Sequence, residues 1–154
     1  MQLSRVRQLR LVSSVAVFTA TLLVASGCAL IASGPAEAKR SDNTPPTFAG
    51  LKSATTCIPG PIGGGRTTSY HLSWDPASDD VTPQKKIVYD VYQATTSGGE
   101  DFSTPTYTTT PGATSFATPA LPTDAQFYFV VRARDQAGNS DANKVEREGQ
   151  NLCD

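Results

Sequence analysis

The stretch Phe127–Asp135, FYFVVRARD, constrains this chain most. Phe127, Phe129, Val131 and Ala133 alternate with Tyr128, Val130, Arg132 and Arg134. A period of two over that length specifies a β-strand with one face in a core. The other face is half apolar and half basic, as on a sheet with one solvated side. Ile87–Gln93 repeats the pattern, with Ile87, Tyr89 and Val91 set against Val88, Asp90 and Tyr92. In Thr67–Trp74, Tyr70, Leu72 and Trp74 share one face, and His71 and Ser73 the other. Weaker strands are expected at Thr47–Thr55, which Gly50 interrupts, and at Thr114–Thr118 and Asn143–Glu148. Thr106–Thr110, bracketed by Pro105 and Pro111, suits an edge strand. Turn-rich segments separate them, including Asp75–Pro83, Thr95–Asp101, Leu121-Pro122 and Gln136–Ser140. About seven short strands in about 100 residues predict an all-β, immunoglobulin-like sandwich.

Ahead of this domain lies a leader. Arg5, Arg7 and Arg10 precede Leu11–Ser33, a run without charge, and residues 11–31 read as the apolar core of a signal peptide spanning 1–38. Three continuations are open. Ala25-Ser26-Gly27-Cys28 resembles a lipobox, in which Cys28 would be acylated and become the mature N-terminus. Ala36-Glu37-Ala38 fits cleavage before Lys39. The uncleaved run is also long enough to span a bilayer. Each places the remainder outside the cytoplasm, because the basic segment stays inside. Residues 39–46 then read as a linker and 47–154 as the domain.

Cys28 belongs to the leader, which leaves Cys57 and Cys153. One pair in an oxidising compartment predicts one disulfide. From Asp42 onward, 8 Lys and Arg face 13 Asp and Glu, a net of −5. An acidic domain argues against a nucleic-acid partner. His71, the only histidine, falls on the face opposite Leu72 and Trp74, and no nucleophile motif accompanies it. Gly63-Gly64-Gly65 lacks the Lys-Ser/Thr of a phosphate loop. No enzymatic activity is expected.

Taken together, several motifs resemble the fibronectin type III domain of bacterial exported proteins. They are Pro45-Pro46, Leu72-Ser73-Trp74-Asp75, Tyr89-Asp90-Val91-Tyr92, Leu121-Pro122, Phe127-x-Phe129-x-Val131-x-Ala133 and Asp135-x-Ala137-Gly138-Asn139. The resemblance covers about Pro45–Glu148. It implies a seven-stranded sandwich in which the first and last strands end at one pole, bringing Cys57 near Cys153. One position departs from the family. Phe127 stands where a tyrosine hydroxyl usually closes a backbone corner, and phenylalanine is expected to fill the same volume.

Two candidate sites follow. Under this topology the segment holding Asp42 and Asn43, the loop holding Asp75, Asp79 and Asp80, and the loop holding Asp135, Asn139 and Asp141 meet at one pole. Asp79, Asp80, Asp135, Asn139 and Asp141 form a candidate Ca²⁺ ligand set, since Ca²⁺ takes six to eight oxygens. Such residues are also common in turns for their own backbone bonding. Tyr92, Tyr128 and Arg132 are expected on the outer face of one sheet as a binding patch, being residue types favoured at hot spots. The expected role is a monomeric, non-catalytic binding or adhesion module at the bacterial envelope, lipid-anchored or secreted, with an envelope protein or glycan as partner. The alternatives are a structural spacer and an accessory to glycan processing, the latter weakened by an expected burial of Trp74.

Overall fold

A computed structural model describes residues 41–60 and 64–152. The chain divides into two units, 1–38 and 39–154, and the described residues belong to the second. The leader expectations, Cys28 included, and Cys153 lie outside the described residues. Among those described, no helix is long and apolar enough to cross a membrane.

The fold is an all-β sandwich. Its strands are β1 (Ser53–Thr56), β2 (Thr67–Thr68), β3 (His71–Ser73), β4 (Val88–Ala94), β5 (Tyr107–Thr108), β6 (Ser115–Ala117), β7 (Leu121–Pro122), β8 (Tyr128–Arg134), β9 (Glu146–Glu148) and β10 (Gln150–Asn151). One sheet has the order β10-β1-β3-β6 and the other β5-β4-β8-β9, with β2 and β7 as a separate short ladder. β2 and β3 both fall within the single expected strand Thr67–Trp74, and β9 falls within Asn143–Glu148. The expected set of seven is therefore recognisable, with two corrections. The strand β10 lies beyond the last expected strand. Leu121-Pro122, read as a turn, is the strand β7, antiparallel to β2 with Thr68 opposite Leu121.

The period-two stretch behaves as its pattern requires. Phe129, Val131 and Ala133 of β8 face Tyr89 and Val91 of β4 within the core, joined by Leu51, Leu72, Trp74 and Ile87. β4 and β8 pair over seven residues, from Val88 opposite Arg134 to Ala94 opposite Tyr128. Trp74 is buried, and its indole N–H donates to the Ala113 carbonyl at 3.0 Å. Phe127 is buried with its ring edge-on to Tyr70 at 6.0 Å, so it fills its site without a hydroxyl. His71 is exposed.

The last strand changes sheets. β9 pairs antiparallel with β8, and β10 pairs parallel with β1. Gly149 stands between them. A Cβ there would overlap Cε1 of the buried Tyr70 ring, so glycine lets the backbone pass it. The Gly149 N–H donates to the Phe127 carbonyl at 2.8 Å, which keeps the crossing satisfied.

Candidate functional site

The loops at the N-terminal pole are held by backbone bonds that fix where their acids point. Thr47 and Ser78 exchange two backbone hydrogen bonds, of 2.7 and 3.0 Å, tying the leading segment to the β3–β4 loop. Ala77 N–H donates to the buried Tyr89 hydroxyl at 2.8 Å, anchoring that loop to the core. On the far side, Asp135 N–H donates to the Asn139 carbonyl at 3.0 Å and closes the β8–β9 turn.

Three carboxylates converge on this frame. One oxygen each from Asp42, Asp79 and Asp135 lies within 4.8 Å of the others. Asp42 Oδ1 accepts the Thr44 N–H at 3.2 Å. Asp79 Oδ2 accepts the Val81 and Thr82 N–H groups at 3.0 and 2.7 Å. Asp135, only 3% exposed, accepts the backbone and side-chain N–H groups of Asn139 at 2.8 and 2.7 Å. These are the local turn bonds that short acidic side chains make. They leave a remainder. Asp42 Oδ2 and Asp79 Oδ1 are closed off from solvent and accept no hydrogen bond. Among the described residues, the salt bridges Lys52–Asp75 and Arg134–Asp90 do not involve the three carboxylates. Two unit charges at such separations repel by about 3–4 kcal/mol at an effective dielectric constant of about 20. A cleft of about 540 Å³ opens beside them, lined by Ser41, Asp42, Val81, Thr82, Gln136 and Asn139 among others.

The expected ligand set is therefore brought together in part. Asp79 and Asp135 are in the cluster. Asn139 braces it, donating its side-chain amide to Asp135 and to the Asp42 carbonyl, the latter at 3.2 Å. Asp80 is exposed at the rim, beside Asp42 and Asn43. Asp141 is not part of the cluster. Its carboxylate turns inward to accept the Ala133 N–H and, at 2.9 Å, the Asn143 N–H. It serves the β8–β9 connection. The third carboxylate is Asp42, which sequence alone placed at the right pole without marking it as a ligand.

The outer-face patch needs a larger correction. Tyr92 does lie on the outer face, but it is only 6% exposed. The 95–106 loop folds back over it. Phe102 packs edge-on against Tyr92, with centroids 5.1 Å apart, and the Arg132 guanidinium sits 3.7 Å from the Phe102 ring centre. Arg132 Nε also donates to the Asn143 carbonyl at 3.0 Å, so its head is fixed on two sides. Tyr128 is half-buried, opposite Ala94 and Glu148, and among the described residues no ring contact joins it to Tyr92. The three residues do not form an open surface.

No family model matches the chain. No curated protein matches it. Two solved chains match. One is a Fn3-like protein from Clostridium thermocellum, 21% identical, with a TM-score of 0.47, the match covering 71% of this chain and 97% of that one. The order of this chain's own strands is that of an immunoglobulin-like sandwich.

Proposed function

We propose that this protein is an exported, non-catalytic β-sandwich module of the bacterial envelope whose N-terminal pole binds a divalent cation, Ca²⁺ by its oxygen chemistry. The observation that carries the cation is the meeting of Asp42, Asp79 and Asp135 with two buried, unpartnered carboxylate oxygens among them. A hard cation satisfies those oxygens and cancels their repulsion, with water completing six to eight ligands. Asp42 belongs to the segment leading into the domain, so the ion would fasten that segment to the two loops. The partner of the module is an envelope protein or glycan.

The test is thermal unfolding with and without millimolar Ca²⁺. A ligand at ten times its Kd adds about 1.4 kcal/mol, so the midpoint should rise. Asp79→Asn keeps an oxygen for the Val81 and Thr82 N–H groups and removes a charge. It should abolish the response and, without Ca²⁺, be at least as stable as the parent. An unchanged midpoint at millimolar Ca²⁺ would end the cation reading.

A second reading, a spacer with no specific ligand, is favoured by the covered aromatic face. Ca²⁺-dependent binding to isolated envelopes separates the two, since a spacer would show none.

We further propose the Cys57–Cys153 disulfide. Its support is the parallel register of Thr56 opposite Asn151, continued by Leu152 N–H to Thr56 carbonyl at 2.9 Å and Ile58 N–H to Asn151 Oδ1 at 2.9 Å. The intact mass of the native protein should gain two hydrogens on reduction. The same spectrum reads the N-terminus, at acylated Cys28 for a lipoprotein or at Lys39 for a secreted form. No gain would overturn the pairing.

A further inference from the structure

Residues 102–123 carry no charged side chain, the longest such run in the domain. Of these 22 residues, 8 are Thr, 2 Ser and 4 Pro, a composition shared with O-glycosylated segments. Here the run is folded. It supplies β5 and β6, an outermost strand of each four-stranded sheet. The rings of Tyr107 and Phe116 meet at 5.3 Å, which puts both edges on one flank. Open strand edges are usually guarded by charged side chains, as on β9 with Glu146, Arg147 and Glu148. β5 and β6 have none. On β6, the bonds from Thr118 N–H to the Tyr70 carbonyl and from Trp74 N–H to the Thr114 carbonyl are both 3.0 Å. They turn the alternate backbone groups, those of Ser115 and Ala117, away from β3.

The fold sorts the hydroxyls of this run. Thr109 Oγ1 accepts the Tyr89 N–H at 3.0 Å and Thr118 Oγ1 the Tyr70 N–H at 2.9 Å, and both residues are buried. Thr106 and Thr108 are exposed but engaged, with the Gln93 N–H and the Asp90 carboxylate. Thr104 and Thr110 are exposed, and among the described residues no hydrogen bond uses either hydroxyl. A proline follows each of them, Pro105 and Pro111. Proline holds the residue before it extended, so the hydroxyl stands on backbone that an enzyme can reach without opening a ladder. Thr110 also begins a turn, closed by Ala113 N–H to the Thr110 carbonyl at 3.4 Å, with Gly112 at φ +76°. Thr118-Pro119 repeats the dipeptide with its hydroxyl buried.

We propose that Thr104 and Thr110 are O-glycosylation sites whose sugars shield the uncharged edges of β5 and β6. The donor is an activated hexose phosphate. The threonine Oγ bonds to the anomeric carbon as the bond from that carbon to the phosphate oxygen breaks. The phosphate leaves with the electron pair, and the hydroxyl proton passes to a base of the transferase. The inference rests on the export proposed above, since the sugar is added on the way to the envelope.

The experiment is fragment mass spectrometry of the native protein, by a method that keeps sugars on their side chains. Cleavage before aspartate releases Asp101–Thr123 as one peptide. It should carry hexose on Thr104 and Thr110 and none on Thr118. A sugar-free peptide from protein in the envelope or the medium would overturn the proposal alone. A sugar-free peptide from protein found only in the cytosol would overturn the export reading with it. Phosphate in place of hexose, or hexose on Thr118, would also overturn the assignment. Thr104→Ala with Thr110→Ala should fold as the parent does, because neither hydroxyl is bonded. In sedimentation velocity it should self-associate at a concentration where the glycosylated parent stays monomeric. A monomeric double variant would overturn the shielding role.

Discussion

Tyr89→Ala should destabilise the domain by about 3–5 kcal/mol, the range for removing a buried aromatic ring. Tyr89 is fully buried, and its ring meets Phe48 at 5.3 Å and Trp74 at 5.2 Å. The more informative variant is Tyr89→Phe, which keeps both ring contacts and removes only the acceptor of the Ala77 N–H. Ala77 is buried, so its donor would be stranded at a cost of about 1–3 kcal/mol. Ala77 is two residues from Asp79, and freeing the loop should also weaken the stabilisation by Ca²⁺. Urea unfolding with and without the ion reads both effects. A Tyr89→Phe protein as stable as its parent would show that the hydroxyl does not position the loop.

Arg134→Met should cost about 2–3 kcal/mol. The Asp90 side chain is 4% exposed and is held by Arg134 Nε at 2.7 Å and Nη2 at 3.1 Å. Without arginine, the Thr108 hydroxyl at 2.8 Å remains as a neutral donor. Stripping one partner from a fully buried pair costs about 3–5 kcal/mol. The Arg134 side chain is 36% exposed, so water can reach the gap, and the lower figure is appropriate. The double variant Asp90→Leu with Arg134→Met should recover most of the loss, because no charge is left buried. Equal instability of the single and double variants would mean that the arginine acts by packing its stem alone.

The strand frame was legible because it rests on periodicity. Alternation set the faces of β4 and β8, and the observed spans differ from the expected ones by one residue at each end. It even placed Tyr92 correctly on the outer face. It could not show Tyr92 buried, because that depends on Phe102, one aromatic residue in a non-periodic loop that folds back across the sheet. β7 was hidden for a related reason: two residues, one a proline, are too few to show a period. At the pole, turn chemistry identified acids in the right loops without saying where each side chain turns. Asp141 and Asp135 look alike in sequence. One faces the backbone of β8, and the other faces Asp42 and Asp79. Asp42 itself sits in a linker-like stretch, and its role arises only from a meeting of segments about 37 and 93 residues apart.

The change of sheet at Gly149 has a mechanical consequence. Because β10 runs parallel to β1, the domain is entered at one pole and left at the other. Tension between residues 41 and 152 therefore pulls the two strands past each other along their length. The Leu152–Thr56 hydrogen bond and its neighbours share that load in shear and must yield together. An antiparallel partner would have been peeled away one bond at a time. A domain tethered at its N-terminal side and pulled from its far end would meet the force in shear at this seam.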